Sequence, residues 1–313
     1  MVAKNPPVHP ACSMLSWLHQ ELVIYSRLVS SNAYANFGSF TICTIARYLA
    51  APVPYTTLIH ALVDANIAAF IWSYIFDIAN QTTSVLEDQI NKPSRPIPAG
   101  LLSTPQAQTR WLLSWIIGPI VMFAWYGPWA ALHMLVWELW VWFSYVWPKY
   151  NNWAIHSIFT SVGMVMLMRV ANAVMRTSAP HWDISAWWDL PMLPWSMLTV
   201  HLQEFHDMEG DRMSGRKTLP LVLTERGIQW LRVVTAAILI AGAVFSVGWV
   251  GTQTPSLWGA WASSIVHSII ATLLAVRTVW TRSTEMDWLN YHLFYIAAAH
   301  ALFVYLSQLA YAV

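Results

Sequence analysis

Two stretches of this chain set carboxylates, amides and basic residues at helical spacing. The first, 80–100, reads NQTTSVLEDQINKPSRPIPAG and follows an apolar run, 55–79, long enough to cross a bilayer. Asn80, Ser84 and Asp88 stand at i, i+4 and i+8 and are expected on one helical face, flanked by Asp77, Glu87 and Asn91. Pro93, Pro96 and Pro98 remove backbone donors and end the helix, with Lys92 and Arg95 in the break. The second, 203–220, reads QEFHDMEGDRMSGRKTLP. Gln203, Asp207 and Asp211 repeat the ladder, with Glu204 on the same face. Arg212, Arg216 and Lys217 bring the positive charge, and Gly210, Gly215 and Pro220 break the helix. Hard oxygen ligands suit Mg²⁺, and lysine or arginine beside them suits a phosphate. Taken singly, each stretch reads as a solvated loop between membrane helices. Two copies with matched ladders point to one shared site.

The elements that must position these residues are membrane helices. The chain has 313 residues, 57% hydrophobic and 10% charged, where a soluble domain carries about a quarter charged. A net charge of +1 gives no reason to expect nucleic acid. Cys12 and Cys43 have no metal or disulfide pattern and read as small apolar fillers. The opening residues lack a cleaved-signal pattern and are expected to form a short tail. At about 20 apolar residues per span, nine segments are expected near 22–50, 55–91, 105–126, 129–147, 152–176, 188–208, 226–250, 257–281 and 288–312. The expected fold is therefore an all-α integral membrane protein, a single domain over 1–313. The motif copies are four spans apart, which suggests two four-helix halves related as a parallel repeat around a central cavity, closed by a ninth helix. With this count, all of the 16 lysines and arginines except Arg47, Arg169 and Arg176 fall toward one side, so both motif loops are expected in the cytosol.

Two acidic clusters meeting across a helical cavity suit two or three Mg²⁺ ions, and through them a diphosphate. Lysine and arginine on the adjoining loops would neutralise the leaving group. The space beyond would be dry and lined by helix side chains, which favours an isoprenoid diphosphate over hydrolysis. There are 21 Trp, 12 Tyr and 11 Phe. Most are expected in interface belts and packing, with Trp182, Trp187, Trp188 and Trp195 as an interface cluster. Trp72, Phe76, Tyr145 and Trp147 are expected nearer the site. Tyr145 and Lys149 stand at i, i+4 at the cytosolic end of helix four, and Arg27 near the start of helix one. Lys149 and Arg27 each read either as a snorkelling anchor or as a diphosphate contact. Glu138, within a span, is expected to pair with a helix neighbour.

These motifs resemble those of the UbiA superfamily of membrane prenyltransferases. Asn80, Asp88, Asn91-Lys92-Pro93, Arg95-Pro96 and Ala99-Gly100 fit its first signature, with Gln81 and Ser84 in place of two aspartates. Asp207, Asp211, Gly215 and Thr218-Leu219-Pro220 fit its second, with Gln203 in place of the first aspartate, and Tyr145 and Lys149 match its YxxxK element. The departures resemble the fungal UbiA-type terpene cyclases. That resemblance implies a Mg²⁺-dependent class I cyclase in the endoplasmic reticulum that ionises farnesyl diphosphate and releases a sesquiterpene. Asn80, Glu87, Asp88, Asp207 and Asp211 would hold metal, with Glu204 and Gln203 at the periphery. Arg27, Lys92, Arg95, Lys149, Arg212 and Lys217 would bind the diphosphate, with Tyr145 and Gln203 also at the substrate. No dedicated base is evident, and the diphosphate itself would take the last proton. The alternative on the same scaffold is transfer of the prenyl group to an aromatic acceptor.

Overall fold

The structure is a computed structural model and describes residues 14–147, 151–183, 188–253 and 258–310. Cys12, Lys149 and Trp187 lie outside the described residues. Among those described, all regular structure is helical. The helices are α1 (Met14–Val29), α2 (Ala33–Ala50), α3 (Tyr55–Thr83), α4 (Val85–Asn91), α5 (Thr104–Tyr126), α6 (Pro128–Val141) and α7 (Trp153–Ser178). They continue with α8 (Met192–Thr199), α9 (Glu204–Ser214), α10 (Leu219–Val222), α11 (Glu225–Gln253), α12 (Trp258–Trp280), α13 (Thr284–Leu289) and α14 (Ile296–Ala310). A π-helical turn, Asn290–Tyr295, joins the last two.

Five helical stretches among the described residues are long and apolar enough to span a membrane: 55–83, 153–178, 225–252, 258–280 and 284–310. The segments expected at 22–50 and 188–208 are each interrupted. A turn at 30–32 separates α1 from α2. Thr199 leaves helical geometry (φ −130°, ψ −18°), and a 3₁₀ turn, Val200–Gln203, leads into α9.

Helix α3 is the central post. Ala61, Ala65, Ala68 and Ala69 are fully buried along it, and small residues at this spacing let helix backbones approach closely. It packs on α2, α5 and α7, while α14 packs on both α12 and α2 and so brings the two ends of the chain together. Helix α5 begins on a reciprocal cap in which Ser103 Oγ accepts from the Gln106 N–H and the Gln106 side chain accepts from the Ser103 N–H.

Several side chains depart from their expected places. Trp182 is fully buried and donates to the Ala51 carbonyl at 2.7 Å, and Trp195 is buried against Tyr295 at 5.1 Å between ring centres. Neither belongs to an interface belt, because each fills space between helices. Trp147 is 70% exposed, since the chain leaves helical geometry there. Glu138 is buried, and its Oε1 makes no hydrogen bond.

Candidate active site

The first ladder is broken at its middle rung. The Thr82 and Thr83 hydroxyls donate back to the Ile78 and Ala79 carbonyls at 2.6 and 3.0 Å in the last turns of α3. Ser84 then leaves helical geometry (φ −127°, ψ 33°) and α4 starts as a separate helix. Asn80 and Asp88 consequently do not share a helical face. Asn80 lines the site cavity, whereas Asp88 is 1% exposed and takes two hydrogen bonds, 2.7 and 3.0 Å, from Arg95 Nη1. Arg95 Nη2 donates to Ser31 Oγ at 2.8 Å, so the basic loop is tied to the corner between α1 and α2. Asn32, in the same corner, donates to Asp77 at 2.6 Å.

Helix α4 packs directly on α9, which joins the two motifs. Asn91 Nδ2 donates to the Asp207 carbonyl at 3.2 Å, and its Oδ1 accepts from the Gly210 N–H at 3.1 Å. Lys92 Nζ lies 3.4 Å from Asp207 Oδ2. The strongest link is Arg216, whose Nη1 donates to Glu87 at 2.7 Å and to Asp211 at 3.2 Å, with Nη2 3.3 Å from His156 Nδ1. One guanidinium thus bridges an acid from each motif.

The turn after α9 explains why Arg216 faces inward. Gly215 is left-handed (φ +72°), a conformation that costs an L side chain roughly 1–2 kcal/mol. The reversal lets the Arg216 N–H donate to the Asp211 carbonyl at 2.9 Å, folding the side chain back over α9. Asn151 clamps the turn by donating to the Gly215 carbonyl at 2.8 Å and accepting from the Lys217 N–H at 2.7 Å. Arg212 and Lys217 are exposed, and Arg212 lines a separate outer cavity. Arg27 is exposed near the end of α1. The polar cavity does not include these three cations. From sequence Arg212 and Lys217, and not Arg216, are assigned to the diphosphate; the glycine turn is what brings Arg216 inward instead.

The polar cavity is lined by Asn80, Glu87, Lys92, Arg95, Tyr145, His156, Gln203, Glu204, Asp207, Asp211 and Arg216, among others. Burial pushes the Asp211 carboxyl up to about 7 despite the Arg216 charge beside it. Burial likewise lifts Glu204 to about 8, against the pull of the Leu219 N–H, which donates to its Oε2 at 2.9 Å, and of Arg216. Burial also raises Asp207, but Lys92, His206 and Arg216 outweigh it, and its carboxyl ends below the usual range. Among the described residues no three acids or imidazoles already stand as a metal cluster. The donor set nonetheless fits a hard cation: four carboxylates and three amides line one cavity, and two of the acids share one basic group that a cation could replace.

Beyond the polar residues the cavity opens on an apolar chamber, and Asn32, Phe76, Tyr145, Thr160 and Gln203 line both. One wall is aromatic: Trp72 stacks on Trp137 at 4.2 Å between ring centres, Phe159 lies 5.4 Å from Trp137, and Tyr145 meets Phe159 edge-on at 4.7 Å. Such faces can stabilise a cation by roughly 0.5–2 kcal/mol each. Gln81 faces elsewhere, donating to the Leu28 carbonyl at 2.8 Å.

A family model described as the UbiA prenyltransferase family matches residues 39–304. The chain is 33% identical over 198 residues to diterpene cyclase eriG of Hericium erinaceus, covering 63% of this chain and 61% of that one. The match therefore spans less than two thirds of that relative. It is 29% identical over 219 residues to polyprenyl transferase eriF of the same organism, covering 70% and 74%. Its fold resembles that of a UbiA homologue from Archaeoglobus fulgidus solved with GPP and Mg²⁺, with a TM-score of 0.61 at 14% identity, covering 92% of this chain and 99% of that one. Matched across most of its length and built on helices that can cross a bilayer, the chain belongs to the UbiA prenyltransferase family of integral membrane proteins.

Proposed function

We propose that this protein is a Mg²⁺-dependent class I terpene cyclase that ionises farnesyl diphosphate and folds the resulting allylic cation into a sesquiterpene. The observation that carries the reading is the junction of an acidic, cation-bridged cavity with an aromatic chamber. Asn80, Glu87, Asp207 and Asp211 are the ligands proposed for the metal, with Gln203 and Glu204 at the edge. Bound there, Mg²⁺ would neutralise charge on the diphosphate as the C–O bond breaks. Lys92 and Arg216, which pair with the same carboxylates, are the residues proposed to receive diphosphate oxygens. Asp88 acts through Arg95, which it orients. Beyond the cavity the aromatic wall excludes water and faces the positive charge.

In this reading both motif loops face the cytosol from the endoplasmic reticulum membrane, within two four-helix halves and a closing ninth helix. The relatives are named as both a diterpene cyclase and a polyprenyl transferase, so a C20 substrate and transfer to an aromatic acceptor are the rival readings. Purified protein given farnesyl or geranylgeranyl diphosphate with Mg²⁺ and no acceptor separates them. Release of a cyclic hydrocarbon from the C15 substrate is expected. Product formed only after adding a phenol would establish transfer instead.

A further inference from the structure

Three helices line the chamber at one repeated spacing. Asn32 and Ser39 at α2, Thr160 and Leu167 on α7, and Ile296 and Phe303 on α14 each stand seven residues apart. The residues three and four places after the first of each pair line it too, so every helix turns one narrow face inward. Asn32 and Thr160 also line the polar cavity, and Tyr291, just before α14, stacks on His206 of α9 at 5.8 Å between ring centres. All three faces therefore begin at the polar end. His300 Nε2 lies 3.1 Å from Ser39 Oγ, and Gln308 donates to the Ala46 carbonyl at 3.1 Å, so α2 and α14 run parallel. One turn past each face, Cys43, Ala171 and Ser307 are buried and do not line the chamber. At that depth Arg47 Nη2 donates to Asn172 Oδ1 at 3.5 Å, which joins α2 to α7 where the space ends.

We propose that Leu167 and Phe303 form a floor that limits the length of prenyl chain the chamber takes, and that a longer tail must double back on it. The inference rests on the reading of a prenyl diphosphate whose head occupies the polar cavity. Seven residues of helix rise about 10 Å. At about 1.2 Å of advance per bond, an extended geranyl chain reaches about 8 Å, a farnesyl chain about 13 Å and a geranylgeranyl chain about 18 Å. Geranyl therefore lies straight in a space two turns deep, whereas farnesyl bends and sets its far double bonds back toward the polar end. Leu167 and Phe303 are both buried and apolar, and each is the last residue of its helix to line the chamber. Truncating either leaves a cavity continuous with the chamber, because packed surroundings relax only in part. Ala299, one turn nearer the polar end, is small, and a larger side chain there raises the floor.

The test gives full-length protein in lipid nanodiscs geranyl, farnesyl and geranylgeranyl diphosphate with Mg²⁺, with and without a phenol, and reads kcat/KM for each from diphosphate release. Leu167→Ala and Phe303→Ala are each expected to raise the geranylgeranyl-to-farnesyl ratio about tenfold over wild type. Ala299→Leu is expected to move preference the other way, lowering the farnesyl-to-geranyl ratio about tenfold. Loosened packing alone would lower all three substrates together and leave both ratios in place. A wild-type ratio in folded Leu167→Ala or Phe303→Ala overturns the floor while leaving the diphosphate reading intact. Should neither fold, a wild-type ratio in Ala299→Leu overturns it. Wild-type protein that releases diphosphate from none of the three, with or without the phenol, overturns the reading beneath it.

Discussion

Arg216 is the residue on which the two motifs depend. It bridges Glu87 and Asp211, whereas Arg212, four residues earlier, points to an outer cavity. Arg216→Ala is expected to slow diphosphate release by about 10²–10³-fold, as the loss of a preorganised donor does. Arg212→Ala is expected to change it by less than about threefold, because the side chain does not line the polar cavity. Stopped-flow or endpoint phosphate assays on both variants check this pair, and equal losses would refute the distinction. The acids also set a dependence on pH. Asp211 and Glu204 have folded-state carboxyls raised to about 7 and about 8, so the folded state holds protons that the unfolded chain has released. Stability of the cation-free protein is therefore expected to fall as pH rises from about 4 toward about 8. Thermal melts in chelator across that range read it, and a rising melting temperature would contradict the assignment.

At the scale of elements, the sequence made the motifs legible and left the side-chain directions open. Gln203, Asp207 and Asp211, at i, i+4 and i+8, line one cavity, with α9 following directly on the 3₁₀ turn that ends at Gln203. The same spacing misplaces Asp88. Helix α3 ends at Thr83, about two turns short of the expected 91, with threonine hydroxyls bonded back to its own carbonyls, and residue spacing alone does not show where a helix yields to its own side chains. Arg216 was hidden for a similar reason, since a left-handed glycine decides which of three neighbouring cations turns inward. Asn151 then holds that turn with two hydrogen bonds from the far side. Asn151→Ala removes about 1 kcal/mol for each bond and is expected to lower turnover about tenfold by loosening Arg216. Activity assays with excess Mg²⁺ measure it, and full activity would show that the turn holds itself.

At the scale of the molecule, hydropathy read the class correctly and the helix boundaries less well. An all-helical membrane protein follows from how few charges the chain carries, but an apolar run does not reveal a corner such as 30–32 or a 3₁₀ turn such as 200–203. That first corner matters because Arg95 reaches it through Ser31 while holding Asp88, so three parts of the chain meet at one buried ion pair. Removing one partner of such a pair costs roughly 3–5 kcal/mol. Asp88→Ala is therefore expected to lower the melting temperature in detergent as well as activity. A variant that melts like wild type yet is inactive would move Asp88 from support to direct chemistry.

Tyr145 belongs at once to the acidic cavity and to the aromatic chamber behind it. On the proposed reading, a substrate gripped by its charged head would have its tail measured from that ring inward, by whatever lies deeper between the helices. Anchor and ruler are different parts of the molecule, so two proteins with identical acidic stretches can still deliver different carbon skeletons.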